Sequence, residues 1–386
     1  MSAVEEETGA VSPPAMSLTR AHVQPRLSML GKNPFTHAHI YTTATLTNLH
    51  LLDLNALSEF PHIQHIHCNE NAIESLVPLQ HLPLLLSVDA SNNHLTQVLD
   101  FDTPKCTYAN AWVNGGKWVG SLLRRANLCS NRIERIRDLT NSHPFLQELY
   151  LAHNNIMTIE GVSQLRFLRV LDLSFNKLTS TRGLVSMQQP ASEKNLDALE
   201  KLVLNNNQIN SVDEVVALPR LEHLDLAHNS MKELKSIGVR ELFFLLARAR
   251  MLRWWLTQLS LSMAQACGRL QHLNLTDNDV DDVNELNHLI PLQLLEKISL
   301  VGCPLVDLEG SHVFYRARVL RRLSQIHQLD DDEVTAKEKV KALVMHGSDL
   351  ETRQRVFAKH LPGQQFTNFL PPLEFEDDQE LERLHA

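Results

Sequence analysis

An eleven-residue pattern, apolar at its first, fourth, sixth and eleventh positions with asparagine at the ninth, recurs along this chain and limits what it can fold into. In "LQELYLAHNNI" the slots hold Leu146, Leu149, Leu151, Asn154 and Ile156, and in "LRVLDLSFNKL" they hold Leu168, Leu171, Leu173, Asn176 and Leu178. Further copies carry Asn207, Asn229 and Asn278, and upstream copies with small or apolar residues in the other slots carry Asn71, Asn93 and Asn131. Asn71 to Asn93, Asn154 to Asn176 and Asn207 to Asn229 are each twenty-two residues apart. Within "LQELYL" the alternation is that of a strand, so Leu149 and Leu151 face inward while Glu148 and Tyr150 face outward. The asparagine follows where the chain turns off the strand, and its amide can pair with backbone groups opened by that turn. A buried amide without partners costs roughly 1 to 3 kcal/mol, so an architectural role accounts for a strict asparagine slot without any catalysis.

This period and slot order define a leucine-rich repeat array, which predicts an α/β solenoid, curved, with parallel strands on its concave face. The repeats span 36–305, beginning with a coil in which Leu46 and Leu49 stand twenty-two residues before Cys68 and Asn71. Residues 1–35, acidic and proline-bearing at their start and without a basic segment leading into an apolar run, read as a disordered arm and not a signal peptide. After "LEKISLVGCPL", where Cys303 takes the asparagine slot, Val319, Leu320 and Leu323 have helical spacing and Leu329 follows a closing strand. The acidic run Asp330 to Glu333 is expected to open another helix. Residues 306–334 therefore read as a C-terminal cap, and 335–386 as a helical or extended tail.

Three insertions break the period. Those at 101–117 and 185–195 are polar enough for surface loops, with Trp112 in the first and Trp118 just past it packing back on the solenoid or anchoring a partner. The third, 239–267, is apolar but interrupted by arginines at 240, 248, 250 and 253, and the uncharged run from Trp254 to Gly268 is too short to span a membrane. It reads either as a helix presenting Phe243, Leu246, Met251 and Trp254 or as translated intron, since removing it restores the repeat.

A chain of 386 residues, 43% hydrophobic and 21% charged, suffices for one elongated domain with tails. Its formal net charge of -9, with no basic stripe, argues against nucleic acid as a partner. The five cysteines lack metal-ligand spacing and read as reduced thiols in the cytoplasm. There is no glycine-rich phosphate loop and no nucleophile elbow. "HIQHIHCNEN" gathers histidines, but the next coil offers only Ser87 and Asp89 towards His65 and His67, which is a poor start for a metal site. The reading is a non-enzyme with no cofactor, no metal and no membrane span.

Binding residues are then sought on the outward strand slots, which hold His65, His67, Asp89, Arg125, Glu148, Tyr150, Asp172, His223, Asp225 and His272. Only Tyr150 is aromatic and the charges are mixed, whereas a phosphatase regulator is expected to line this face with acids and large aromatics. A second set, Phe366, Phe369 and Phe375, lies between prolines and acids in the tail, where apolar side chains without a core of their own suit either a partner or the solenoid's flank.

The cap resembles that of the phosphatase-regulator type of intracellular leucine-rich repeat proteins. The opening segment "THAHIYTTATLTNLHLLDLNALSEFPHIQHIHCNENAIESL", the repeats, the cap and the extension past it together resemble the radial-spoke leucine-rich repeat proteins of motile cilia and flagella over roughly residues 36 to 345. The insertions at 101–117 and 239–267 depart from that pattern. The resemblance implies a structural scaffold in the axoneme, part of the cytoskeleton, that binds other spoke proteins. The alternative is a regulatory subunit holding a protein phosphatase on the concave face.

Overall fold

Each copy of the pattern forms a three-residue strand whose middle side chain is buried and whose outer two face solvent. A computed structural model describes residues 16–32, 37–102, 121–139, 142–163, 165–184, 196–212, 215, 218–234, 237, 268–308, 312–345 and 358. They fall in two compact units, Met1–Ile156 with Glu160–Leu168, and Met157–Ile159 with Arg169–Ala386.

In the first unit, β2 (His39–Thr45), β3 (His65–His67), β4 (Ser87–Asp89), β5 (Arg125–Asn127) and β6 (Glu148–Tyr150) pair in parallel. The register aligns Ala44, Ile66, Val88, Ala126 and Leu149, all buried. Burying a leucine or isoleucine contributes roughly 1.5 to 3 kcal/mol, and one such residue per coil builds a continuous core. In the second unit β7 (Val170–Asp172), β8 (Lys201–Val203), β9 (His223–Asp225), β10 (His272–Asn274), β11 (Lys297–Ser299) and β12 (Gln328–Leu329) pair in the same way. Their inner row is Leu171, Leu202, Leu224, Leu273, Ile298 and Leu329. Pairing of β9 with β10 keeps His223 opposite His272 although the residues between them include the third insertion.

Residues 16–32 correct the expectation of a disordered arm over 1–35. Arg20–Val23 form α1 and Leu27–Lys32 form β1, which pairs antiparallel with β2 from Leu27↔Ala44 to Lys32↔His39. The physical reason lies in β2: as the first parallel strand it would expose a row of backbone donors and acceptors, and β1 takes them up. Leu18 and Val23 are buried under this end, closing the first coil against water.

The far end corrects a second expectation. Asp330 to Glu333 do not open a helix. Asp332–Glu333 form β13, antiparallel to β12, and Asp330, at φ 58°, turns its Oδ1 to the backbone N–H of Leu300 at 2.9 Å and accepts the Tyr315 hydroxyl at Oδ2, 3.2 Å away. The helix begins later, at Ala336, where Thr335 and Glu338 cap each other: Glu338 N–H donates to Thr335 Oγ1 at 3.2 Å and Thr335 N–H to Glu338 Oε2 at 2.9 Å. With α2 (Pro304–Leu308), α3 (His312–Arg322) and α4 (Ala336–Met345) this makes the cap, in which Tyr315, Val319, Leu320, Leu323 and Leu329 are buried.

Insertions 185–195 and 239–267, residues 103–117 of the first insertion, Trp112 and Trp118, and the tail from 346 except Ala358, with Phe366, Phe369 and Phe375, lie outside the described residues.

Candidate protein-interaction surface

The asparagines set the frame on which the outward side chains stand. In the first unit Asn93 Nδ2 donates to Cys68 O at 3.0 Å and Ala90 O at 3.1 Å, and Asn131 Nδ2 to Ala90 O and Leu128 O at 3.0 Å. Asn154 Nδ2 reaches Leu128 O and Leu151 O, both at 3.0 Å. Their Oδ1 atoms accept backbone N–H groups of the preceding coil, from Ile73, Leu95 and Ile133. Asn71 sits similarly at the first coil, accepting from Leu49 and Leu51 at 3.0 Å. In the second unit Asn207, Asn229 and Asn278 repeat the arrangement with Leu178, Ile209 and Met231 as donors. Asn176 Nδ2 donates to Leu173 O at 3.0 Å. Cys303 continues the series with a thiol, Sγ–H donating to Leu275 O at 3.2 Å.

One residue before each asparagine the backbone is left-handed: Glu70, Asn92, Ser130, His153, Phe175, Asn206, His228 and Asp277 have φ between 52° and 58°. A non-glycine residue there costs roughly 1 to 2 kcal/mol, and the amide bonds offset it. The asparagine slot is therefore a backbone device.

On the strand face of the first unit His65 Nδ1 meets Ser87 Oγ at 2.7 Å. Burial, and then His67, lower the pKa of His65. Arg125, Glu148 and Tyr150 form one cluster, with Arg125 Nε 3.4 Å from Glu148 Oε2, the Tyr150 hydroxyl donating to the same oxygen at 3.0 Å, and the guanidinium 5.3 Å from the Tyr150 ring centre. Asp89 bends one carboxylate oxygen back to Ser91, accepting its N–H at 3.2 Å and its hydroxyl at 2.8 Å.

The second unit has a groove of about 430 Å³ on the same slots, lined among others by Asp172, Lys201, His223, Asp225, His272 and Lys297. His223 and His272 stack with ring centres 4.3 Å apart. Burial lowers the pKa of His272, with His223 and Lys297 adding to the effect. Asp172 and Asp225 behave as Asp89 does, accepting the N–H groups of Ser174 and Ala227 at 3.0 and 3.1 Å. The three aspartates thus shape the turn after their strands, while the histidines, Arg125, Glu148 and Tyr150 present polar groups outward. Among the described residues no group of three or more His, Cys, Asp or Glu is placed to hold a metal ion, and no helix is long and apolar enough to cross a membrane.

Two features escape a reading of the strand slots alone. His143, fully buried, bonds both flanks of the first insertion: Nε2–H donates to Phe101 O at 3.1 Å, and Nδ1 lies 2.5 Å from Ser121 Oγ. Four residues before the strand centres, the first unit carries Leu84, Leu122, Phe145 and Phe167 in corresponding positions. The first three are half-buried, Phe167 is 47% exposed, and the rings of Phe145 and Phe167 lie 5.9 Å apart. Aligning that slot would have revealed the stripe.

Residues 144–186 and 197–237 match the family model "Leucine Rich repeats (2 copies)". The chain is 28% identical over 343 residues to leucine-rich repeat-containing protein 23 of Bos taurus, covering 84% of this chain and 78% of that protein. It is 28% identical over 170 residues to cilia- and flagella-associated protein 410 of Mus musculus, 44% of this chain and 55% of that one. It is 31% identical over 92 residues to the protein phosphatase 1 regulatory inhibitor subunit PPP1R7 homolog of Arabidopsis thaliana, 24% of this chain and 26% of that one. Repeats, strands and family model agree that the chain carries leucine-rich repeats, and it is similar along most of its length to leucine-rich repeat-containing protein 23.

Proposed function

We propose that this chain is a non-enzymatic scaffold of the ciliary or flagellar axoneme, a radial-spoke component that binds other spoke proteins. The observation that carries the reading is the similarity over 84% of the chain to leucine-rich repeat-containing protein 23, joined to the resemblance of the opening segment to radial-spoke proteins. The name of the murine relative, a cilia- and flagella-associated protein, supports the same address. A preformed row of outward side chains on short parallel strands suits this work, because a rigid surface loses little conformational entropy on docking. His65, His67, Arg125, Glu148, Tyr150, His223 and His272 offer the polar contacts, and Phe366, Phe369 and Phe375 in the tail offer apolar anchors.

A second reading, a regulatory subunit of a protein phosphatase, has in its favour the similarity over 92 residues to a phosphatase 1 regulatory protein. The strand face disfavours it, since on the described outward slots of β3 to β11 Tyr150 is the one tyrosine, phenylalanine or tryptophan, and Asp89, Asp172 and Asp225 are tied to their own turns. Purification of the tagged chain from ciliated cells separates the two. Recovery with radial-spoke proteins in fixed ratio supports the scaffold, and recovery of a phosphatase catalytic subunit in that ratio, without spoke proteins, supports the regulator.

A further inference from the structure

We infer that the outer edge of β1 takes an extended segment of a partner protein as one more strand, a segment with an apolar centre and a carboxylate towards each end. The inference rests on the scaffold reading and deepens it by naming a sheet edge and the chemistry of what it takes. By covering the edge of β2, β1 becomes the edge itself: among the described residues β2 is its one strand partner, so its other side offers backbone donors and acceptors. The last strand, β13, is two residues long and both are acids, Asp332 and Glu333, which makes that edge a poor template. β1 has six residues and no acid, and it shows Met29 and Leu30 to solvent, 70% and 66% exposed. Tyr41, opposite Leu30 on β2, is 49% exposed. Met29 has a φ of 56°, which a methionine adopts only at a steric cost, and closing the first coil does not call for it, since Leu18 and Val23 are the residues buried there.

Charge selects the occupant. Arg26 immediately precedes β1 and Lys32 ends it, and residues 16–52 contain no Asp or Glu. Among the described residues neither cation is in an ion pair: Arg26 Nη1 donates to a neutral carbonyl, His22 O, at 2.9 Å, whereas Arg20 is matched by Glu59 at 3.2 Å. A second copy fits poorly, because antiparallel pairing centred on Met29 and Leu30 sets Lys32 across from Leu27 and beside Arg26 of the other copy, like charge against like. Arg26 and Lys32 stand about 20 Å apart along an extended chain. The matching segment therefore carries carboxylates about six residues apart, with apolar residues between them to cover Met29 and Leu30.

The test uses the full chain and three synthetic heptapeptides with one valine–threonine core, read by fluorescence anisotropy. The first has glutamate at both ends, the second lysine at both ends, and the third is the glutamate peptide methylated at every backbone nitrogen of the core. The glutamate peptide is expected to bind at least about ten-fold tighter than the lysine peptide, with the difference shrinking as salt screens it, and the methylated peptide, which has lost its strand donors, is expected not to bind. Met29→Ser with Leu30→Ser is expected to weaken binding at least about ten-fold while the melting temperature holds, because both side chains stand in solvent. Arg26→Glu with Lys32→Glu is expected to reverse the preference between glutamate and lysine. Equal binding of the glutamate peptide and either of the others, no binding of any, or binding indifferent to the serine changes overturns the inference. A fall in melting temperature on the serine changes also overturns it, by making the pair part of the chain's own packing. So does self-association lost on those changes, which gives the edge to a second copy. Binding that arises only when residues 1–15 are deleted gives the edge to the chain's own Glu5, Glu6 and Glu7 and overturns it as well. Failure of the peptides while spoke proteins are still recovered removes this edge alone; binding of the glutamate peptide without recovery of spoke proteins removes the address alone.

Discussion

The side-chain oxygen of Asn154 accepts the backbone N–H of Ile133 at 3.0 Å, tying one coil to the coil before it. Its Nδ2 donates to Leu128, Leu151 and Ala152 carbonyls, so Asn154→Ala leaves a buried donor and several acceptors unmet. The expected loss is on the order of 1 to 3 kcal/mol. Chemical denaturation checks it, and an unchanged midpoint would mean that the amide is dispensable.

Gly161 is a position where a side chain does not fit. Its φ is +69°, and a Cβ would run into the Arg137 carbonyl group. Gly161→Ala is expected to destabilise by more than about 1 kcal/mol, whereas an alanine on an exposed face with ordinary φ should change little. A melting temperature equal to that of the unaltered chain would show that the turn relaxes.

The pH dependence should carry the mark of His143. Phe101 O can only accept, so Nε2 carries the proton and Nδ1 accepts from the Ser121 hydroxyl. Burial, with the nearby Arg137 charge, lowers the pKa from 6.5 to about 4. The folded chain therefore holds this ring neutral where the unfolded chain protonates it. Its contribution, roughly 3 kcal/mol, is present in full above pH 6.5 and is lost as pH falls from 6.5 to 4. In His143→Leu the slope of stability against pH across that window should flatten by about one proton; an unaltered slope contradicts the assignment.

The sequence made the coils legible because their constraints repeat. Leu149, Leu171 and Leu202 occupy one slot for one reason, and the left-handed residue before each asparagine follows from the same turn. What it hid was non-repeating. "LSMLGK" has no strand alternation, and β1 exists because β2 needs a partner on its outer edge. The acids from Asp330 to Glu333 look like a helix start, yet Asp330 is spent on Leu300 and Tyr315. His143 reads as one histidine among twenty, since its partners Phe101 and Ser121 flank an insertion. The outward strand residues were legible as a set, but not which of them, such as Asp89 and Asp172, turn back to their own backbone.

The tail is the part most open to direct manipulation. Truncation before His346 is expected to leave the melting temperature unchanged, because Val319, Leu320, Leu323 and Leu329 already close the last coil, while axonemal incorporation fails. Phe366→Ala, Phe369→Ala and Phe375→Ala together should mimic it, at about 2 kcal/mol or more of binding for each buried aromatic. A large drop in melting temperature would instead place the tail on its own solenoid, and normal incorporation would remove it from docking.

The scaffold reading is tested most directly by stepwise extraction of isolated cilia, following this chain through detergent and then strong salt. Multiple structural contacts predict that it stays with the axoneme through detergent and leaves only with strong salt, alongside spoke proteins. Release by detergent alone, together with a phosphatase in stoichiometric amount, would contradict the account.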